Sequence, residues 1–437
     1  MKAFLWTVFL VAAVLRGLSL ADPTLSLDEG YSVFFSRIPL RSIFMDAGLD
    51  SNPPLGNAFF HLWSTAVGYE PVLMRLPGVV ASLFTLLLLW QLVRPVLPAP
   101  AAAFVLIFKA VSLYDVLYSR QLRVYPFAEL LLVVSWLCLQ RLIEVRSMRW
   151  AALWAVFSAA ACHVHYFCAL VVAATALVMI GALWRDKKLA LASVGMCAVL
   201  AAPLALPLAQ QLLVHKSFGW ISEPMGGVLL VAAYQLCGYS LVVLVAAVVL
   251  LFAAIVIRDP GARLTPFQRH RSIVTVCLVQ IGCVVLLAAL LSKLGASFFH
   301  PRYFFFLQVP FLCLLSLGLE PFGRRAGPIV AVIVAGAAGL PCMTHLVEAA
   351  QNPTGFQVIE RAVPGLSEKT LLVHRTKCSF SVGQAYDRFR HQHRLLDGGG
   401  DSNVFHYPGL PPVFISAEEA SATPEAVFVA LTDGCPS

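Results

Sequence analysis

The sequence predicts an all-α polytopic membrane protein of about eleven transmembrane helices, with an amphipathic first outer loop and a small α/β C-terminal domain. Three observations carry that prediction. Hydrophobic residues make up 59% of the 437 and charged residues only 12%, whereas soluble domains run near ~45–50% and ~25%. So few charges cannot clothe a water-facing surface. The apolar residues fall in long runs, and a transmembrane helix needs roughly 20 of them. Lys and Arg concentrate in alternate loops, as the positive-inside rule expects. The composition excludes disordered, collagen-like, disulfide-scaffold and coiled-coil classes. A net charge of +8 would raise nucleic acid as a partner in a soluble chain; here it marks cytoplasmic loops instead.

The runs are 3–20, 72–93, 99–117, 122–142, 150–163, 166–184, 189–213, 227–257, 272–293, 302–319 and 327–345, eleven in all. The first is read as a span and not a cleaved signal peptide, because the rest is membrane and no clear cleavage site follows. The fifth is short, a tilted span or one half of a hairpin with the sixth. With the N-terminus inside, the cytoplasmic loops hold Arg94; Arg141, Arg146 and Arg149; Arg185, Lys187 and Lys188; Arg258, Arg263, Arg269 and Arg271; and Arg324 and Arg325. An odd number of spans puts the tail outside, in a periplasm or a lumen. Nine of the 11 cysteines lie in apolar runs, where free Cys behaves as a small hydrophobe. Cys378 and Cys435 fall in the polar tail and are the pair left for a disulfide.

The outer loop 21–71 is the longest between spans. Residues 30–44 mix aromatics with Arg37 and Arg41, as in a segment lying on a membrane surface. Asn52-Pro53-Pro54 is a rigid turn. The apolar stretch after it is about fourteen residues long, which suits a re-entrant or interfacial helix better than a span. The tail, 346–437, holds ten of the 23 acidic residues. Strand-like runs at 370–375 and 427–431 flank an expected helix near 382–395. No internal repeat, Walker A or GxGxxG motif is present, so ATP-driven transport lacks its engine in this chain.

Candidate chemistry sits on the outer side. Asp28-Glu29 could supply a base for an acceptor hydroxyl or ligands for a divalent metal, or be a solvated loop pair. Arg120 and Arg123, three apart, would share a helix face. With Tyr125 they lie on the side that the charge bias keeps poor in arginine. Phosphate recognition by guanidinium forks explains that; snorkelling to headgroups is the alternative. Arg302 breaks the bias in the same way after Pro301, with Lys293 and His300 nearby; Tyr303 fits an aromatic belt. His163, His165 and Tyr166 lie at an outer turn. Two histidines could bind metal, but no third ligand has familiar spacing, so a hydrogen-bonding role is expected. Lys109, Asp115 and Glu129 are intramembrane charges that mark function or a partner; Asp115 is expected to orient Arg120, and Glu129 to join the Arg123 cluster. Glu223 is a spare outer carboxylate.

Four stretches in order, SLDEGYSVFF, SNPPLGNAFFHLW with GYEPVLMRLPGVV, LYSRQLRVYPF and HPRYFFFLQVPF, resemble the GT-C membrane glycosyltransferases, in the protein-mannosyltransferase-like and aminoarabinose-transferase-like branch. Order and spacing agree along residues 1–345. That branch usually has histidine where this chain has Asn52, which can hydrogen-bond but not titrate. The resemblance implies a GT-C fold in a bacterial inner membrane. It implies inverting transfer from a polyprenyl-phosphate sugar to a lipid, glycan or protein acceptor on the outside. Asp28 would be the base, Glu29 would position the acceptor or the loop helix, and Arg120, Arg123 and Arg302 would stabilise the leaving phosphate. Tyr125, Tyr303, Asn52, His165 and Tyr166 would complete substrate binding. Metal dependence stays open, with Asp28-Glu29 the obvious ligand source. The rival class is a transporter or flippase of a lipid-linked or small anionic substrate, and a structural membrane protein is a third.

Overall fold

The computed structural model describes residues 2–20, 26–45, 50–214, 225–257, 264–293, 299–351, 371–374, 392–396, 414–415, 421 and 426–429. Among them six helices are long and apolar enough to cross a membrane, or eight spans if each of two bent helix pairs counts as one. The chain is an integral membrane protein of mostly helical structure.

Helix α1 (Lys2–Leu20) packs against α5 (Pro71–Val93) and α6 (Ala99–Val111). Between α1 and α5 lie α2 (Leu27–Ser36), α3 (Leu40–Met45) and α4 (Pro54–Val67). The loop is thus built of short helices, and α4, at 14 residues, matches the length expected of an interfacial helix. Pro53 and Pro54 start it, since proline suits a first helical turn. His61 on α4 donates from Nδ1 to Ser36 O at 2.9 Å, tying α4 to the end of α2.

The run 99–117 does not continue as one rod. It breaks at Ser112, and α7 (Leu113–Arg120) leaves α6 at 51°. The run 227–257, expected as a single span, is two helices, α13 (Met225–Leu236) and α14 (Leu241–Val256), bent by 94°. Gly238 and Tyr239 turn the corner at φ +71° and +60°, a left-handed conformation that costs glycine little. The two breaks meet, because a Cβ on Gly238 would stand 3.2 Å from Ser112 Oγ. Helices α8 (Tyr125–Val145), α9 (Met148–Val164), α10 (Cys168–Ala182), α11 (Lys187–Ala201) and α12 (Ala205–Val214) continue the bundle. Later come the short α15 (Pro266–Arg269), α16 (Arg271–Lys293), a 3₁₀ segment (Pro301–Leu307) running into α17 (Gln308–Leu317), and α18 (Gly323–Gln351). The short fifth run is α9, a helix of 17 residues. The nine cysteines of the apolar runs are free thiols; Cys378 and Cys435 lie outside the described residues, as does Glu223.

Four short strands, Leu371–His374, Gln392–Leu396, Phe414–Ile415 and Ala426–Val429, pair in parallel in the order third, second, first, fourth. The helix expected near 382–395 is corrected where it is described: 392–395 belong to a strand paired with 371–374. Residues 382–391 lie outside the described residues.

The bundle core buries charge as well as hydrocarbon. Lys109 Nζ meets Asp115, Glu129 Oε1 at 2.5 Å and Gln308 Oε1 at 2.7 Å. Gln308 Nε2 donates to Asp115 Oδ2 at 2.8 Å. Arg16 of α1 donates to Ser82 Oγ at 3.0 Å and to the carbonyls of Ala110 and Lys109 at 2.9 and 3.1 Å. This corrects two expectations: Asp115 and Glu129 face Lys109, not Arg120 and Arg123. The α6–α7 bend turns Asp115 back toward Lys109, where an ammonium offsets the desolvation of both carboxylates.

Candidate active site

The acidic pair splits at the start of α2. Ser26 caps the helix: its Oγ accepts from Glu29 N at 3.4 Å, and Glu29 Oε2 accepts from Ser26 N at 2.9 Å. This is a capping box, the S-x-x-E pattern that satisfies two orphan donors at once. The same Glu29 carboxylate accepts Arg75 Nε at 2.8 Å, Arg75 Nη2 at 3.0 Å and Leu122 N at 3.0 Å. Glu29 and Arg75 are buried, 2% and 1% exposed. Burial alone would raise the Glu29 carboxyl; the Arg75 guanidinium and the Ser26 N–H outweigh it and hold it below the usual carboxylate range. One carboxylate therefore joins α2, α5 and the 121–124 turn.

Asp28 is one residue away and differently placed. Its side chain is 36% exposed and pairs with the Arg302 guanidinium. Arg123 Nη1 reaches the Asp28 carbonyl at 3.4 Å and Ser32 Oγ at 3.5 Å, while its buried Nε has no hydrogen-bond partner among the described residues. Burial would raise Asp28; Arg123 and Arg302 together outweigh it and hold the carboxyl below its ordinary range. His300 caps the 3₁₀ segment, its Nδ1 accepting from Arg302 N at 3.3 Å and Arg302 Nε at 3.2 Å. Burial, then Arg302, lowers the His300 pKa to about 4, so the ring is neutral.

An aromatic wall stands behind Arg302. The His165 ring lies 5.2 Å from both Tyr125 and Tyr303, and 5.4 Å from Phe306. His165 Nδ1 accepts from Phe167 N at 3.2 Å, which leaves the neutral ring's proton on Nε2. That Nε2 is buried without a hydrogen-bond partner among the described residues. Burial, then Arg123 and Arg302, pushes the His165 pKa down to about 3. His163 turns away and donates to Leu200 O at 3.0 Å.

Asn52 and Tyr166 belong to a neighbouring group organised by Asp50. Asp50 accepts from Ser51 N at 2.7 Å, Asn52 Nδ2 at 3.2 Å and Asn57 Nδ2 at 2.7 Å. Gln211 Nε2 donates to Asn52 O at 2.9 Å. Tyr166 stands near enough to Asp50 and Gln211 to join the group, and burial, then Asp28 and Asp50, raise the Tyr31 hydroxyl to about 12.

The structure thus brings Asp28, Arg123, Arg302, Tyr125, His165 and Tyr303 together, with Asn52 and Tyr166 at one side. Arg120 stands apart: its Nη2 is 2.8 Å from His345 Nε2 on α18. The shared helix face expected for Arg120 and Arg123 does not form, because α7 ends at Arg120 and Arg123 N closes a tight turn onto Gln121 O at 2.7 Å. No sequence signal assigns Asp50 or Arg75 a role, and His300, expected beside Arg302 in a positive pocket for a lipid-linked phosphate, is that arginine's hydrogen-bond acceptor. Only the capping box was visible beforehand, in Ser26-Leu27-Asp28-Glu29. No group of three His, Cys, Asp or Glu side chains is placed to hold a metal among the described residues. The acidic pair itself does not fit one ion, since Glu29 is occupied by Arg75, Ser26 N and Leu122 N.

Residues 51–208 match the family model described as dolichyl-phosphate-mannose-protein mannosyltransferase. The resemblance drawn from the sequence is borne out over that stretch, which contains the second and third of the four motif stretches. Among solved structures, ArnT from Cupriavidus metallidurans bound to undecaprenyl phosphate is 13% identical at a TM-score of 0.48, covering 92% of this chain and 87% of that one. An Archaeoglobus fulgidus oligosaccharyltransferase tethered with an acceptor peptide is 10% identical at a TM-score of 0.46, covering 90% of this chain. The match spans 64% of that longer chain. No curated protein matches.

Proposed function

We propose that this chain, whose residues 51–208 match the dolichyl-phosphate-mannose-protein mannosyltransferase model, is an inverting membrane glycosyltransferase. It moves a hexosyl or pentosyl group from a polyprenyl-phosphate carrier to a hydroxyl of a lipid, glycan or protein. The observation that supports this most is the difference between two adjacent carboxylates. Glu29 is consumed by the fold, and Asp28 stays half-exposed against two guanidiniums.

In the reaction, the acceptor oxygen attacks the anomeric carbon from the face opposite the phosphate. Asp28 takes the hydroxyl proton. The carbon–oxygen bond to phosphate breaks, the configuration inverts, and polyprenyl phosphate leaves with the bonding pair. Arg123 and Arg302 hold the charge that gathers on that phosphate, in a site where oriented cations act strongly. Arg302 pairs with Asp28 before substrate arrives. An incoming phosphate draws the guanidinium to itself and frees a carboxylate oxygen for the acceptor. Tyr125, His165 and Tyr303 line the sugar side, where His165 Nε2–H offers an uncommitted donor. Asn52, Tyr166 and Asp50 border the acceptor side. Glu29 positions α2 and touches no substrate; Arg120 supports α7 against α18. The membrane unit is 1–345 with eleven spans and a cytoplasmic N-terminus, the site faces outward from a bacterial inner membrane, and 346–437 forms an extracytoplasmic α/β domain.

The test is Asp28→Asn in the purified full chain, supplied with polyprenyl-phosphate sugars and a panel of lipid, glycan and peptide acceptors. Transfer should fall by about 10²–10⁴, the usual contribution of a positioned base. Unchanged transfer by the variant removes Asp28 as the base. A wild-type chain inactive with every donor removes glycosyl transfer itself and favours transport.

A further inference from the structure

His165 sits in the turn between α9 and α10 and is 4% exposed. The fold uses only one of its two ring nitrogens. Nδ1 accepts from Phe167 N at 3.2 Å, and Nε2 is buried with no hydrogen-bond partner among the described residues. An unpaired buried donor costs stability, so the fold by itself has no use for that N–H. The turn needs the Nδ1 bond alone, which the side-chain oxygen of an asparagine would supply as well. We propose, resting on the glycosyl-transfer reading above, that His165 selects the transferred sugar: its Nε2–H donates to a sugar oxygen, and the site takes a hydroxyl there and rejects a protonated amine.

The selectivity follows from what surrounds the ring. A neutral imidazole whose Nδ1 accepts carries its proton on Nε2 and can only donate there. A second proton would have to go on Nδ1, at the expense of the Phe167 bond, and burial, Arg123 and Arg302 all oppose it. A ligand at Nε2 must therefore offer a lone pair. A hydroxyl has two; a protonated amine has donors only, and would set N–H against N–H. The two guanidiniums that oppose a charge on the ring also oppose a cation beside it.

The groups that could welcome a cation are already engaged. Open aromatic faces attract cations, but the Tyr125 ring packs on Tyr118 at 4.8 Å and the Tyr303 ring on Phe167 at 5.6 Å. Of the carboxylates, Asp28 pairs with Arg302, and Asp50 holds the Asn52 and Asn57 amides. Tyr303 is half-buried and stands edge-on to the His165 ring at 5.2 Å. It is the side chain that turns aside to admit the sugar to Nε2.

The experiment is calorimetric titration of the purified full chain in detergent with a short-chain prenyl-phosphate hexose and pentose. Analogues replace each free hydroxyl in turn by hydrogen or by an amine. At one ring position, removing the hydroxyl should weaken binding to the wild type about three- to tenfold, the worth of one hydrogen bond. The amine at that position should weaken it about tenfold or more beyond that, as an unpaired charge in a buried site does. His165→Asn keeps an acceptor for Phe167 N but draws the donor back from Nε2, and should bind the hydroxyl and hydrogen analogues equally. His165→Gln returns an amide N–H near Nε2 and should restore the preference. Unfolding curves of both variants separate lost recognition from a lost fold, and His165→Phe, which keeps a ring among its aromatic neighbours, replaces the asparagine variant if that one does not fold. A wild type that binds the amine as tightly as the hydroxyl at every position overturns the proposal. So does a preference that persists unchanged in a folded His165→Asn or His165→Phe chain. A chain that binds the hydroxyl donors without discrimination removes this inference and leaves glycosyl transfer standing, whereas one that binds no sugar donor removes both.

Discussion

Lys109→Met is the sharpest perturbation of the bundle. Lys109 is 2% exposed, and its ammonium contacts Asp115 on α7, Glu129 on α8 and Gln308 at the head of α17. These segments carry Arg120, Tyr125 and, just before Gln308, Arg302. Methionine matches the stem and removes the charge, leaving two buried carboxylates without their shared cation. Breaking a buried ion pair from one side costs about 3–5 kcal/mol. Arg16 lies close enough to act electrostatically on both acids, and Asp115 keeps its bond from Gln308, so the lower part of that range applies. Adding Glu129→Gln removes one stranded charge and should return about 1–2 kcal/mol, a coupling typical of residues in one network. The assay is chemical unfolding of each variant in a mild detergent, with donor KM and kcat measured alongside. A Lys109→Met chain within about 0.5 kcal/mol of wild type, the level of an ordinary surface substitution, refutes the hub. A double variant no more stable than the single one refutes the pairwise reasoning.

Four further outcomes follow from the structure. Glu29→Gln should cost about 3–5 kcal/mol by stranding the Arg75 guanidinium, whereas Asp28→Asn should leave thermal unfolding near wild type; the melting curves of the pair decide between an anchor and a base. Because Asp28 must be ionised and is held below its ordinary range of ~3.9, transfer should be flat from neutral pH downward and fall only below that value, and a rate midpoint near 6 would contradict the assignment. The depressed Glu29 carboxyl sets stability in the same direction: its contribution is complete above the unfolded value of ~4.3 and is lost as pH falls through the lower folded value. Gly78→Ala should destabilise by about 1–3 kcal/mol, since its Cβ would stand 2.6 Å from Ser119 O, and unfolding measurements would show it.

Much of the scaffold was legible because length and hydropathy act locally. The 14-residue helix after Pro53 is an example, its span-like composition overruled by its length. The corner in 227–257 was hidden for the same reason: both arms are apolar, and only the backbone at Gly238 and Tyr239 marks the bend. Charge partners were the least legible. Lys109 meets Glu129 from 20 residues away and Gln308 from 199, separations that no helical spacing encodes. Asp115 and Arg120 are close in sequence and share the unbroken helix α7, but a five-residue separation at about 3.6 residues per turn puts them on different sides of it, and Asp115 faces Lys109 instead. Asp28 and Glu29 were read as one pair although Ser26 already distinguished them, because only the residue three after the cap folds back onto it.

The Glu29 junction also sets an order of assembly. Arg75 follows Glu29 by 46 residues and Leu122 by 93. At translation rates of ~5–20 residues per second, Leu122 is made about 5–20 s after Glu29. Until Arg75 is made, about halfway through that interval, the carboxylate has only the Ser26 cap, and the junction stays incomplete until Leu122 arrives. The Asp28 backbone is held once Arg123 of the 121–124 turn reaches its carbonyl, and its side chain only when Arg302, 274 residues on, is made. A nascent chain halted before residue 122 would therefore carry the acidic pair without the geometry that separates its two members.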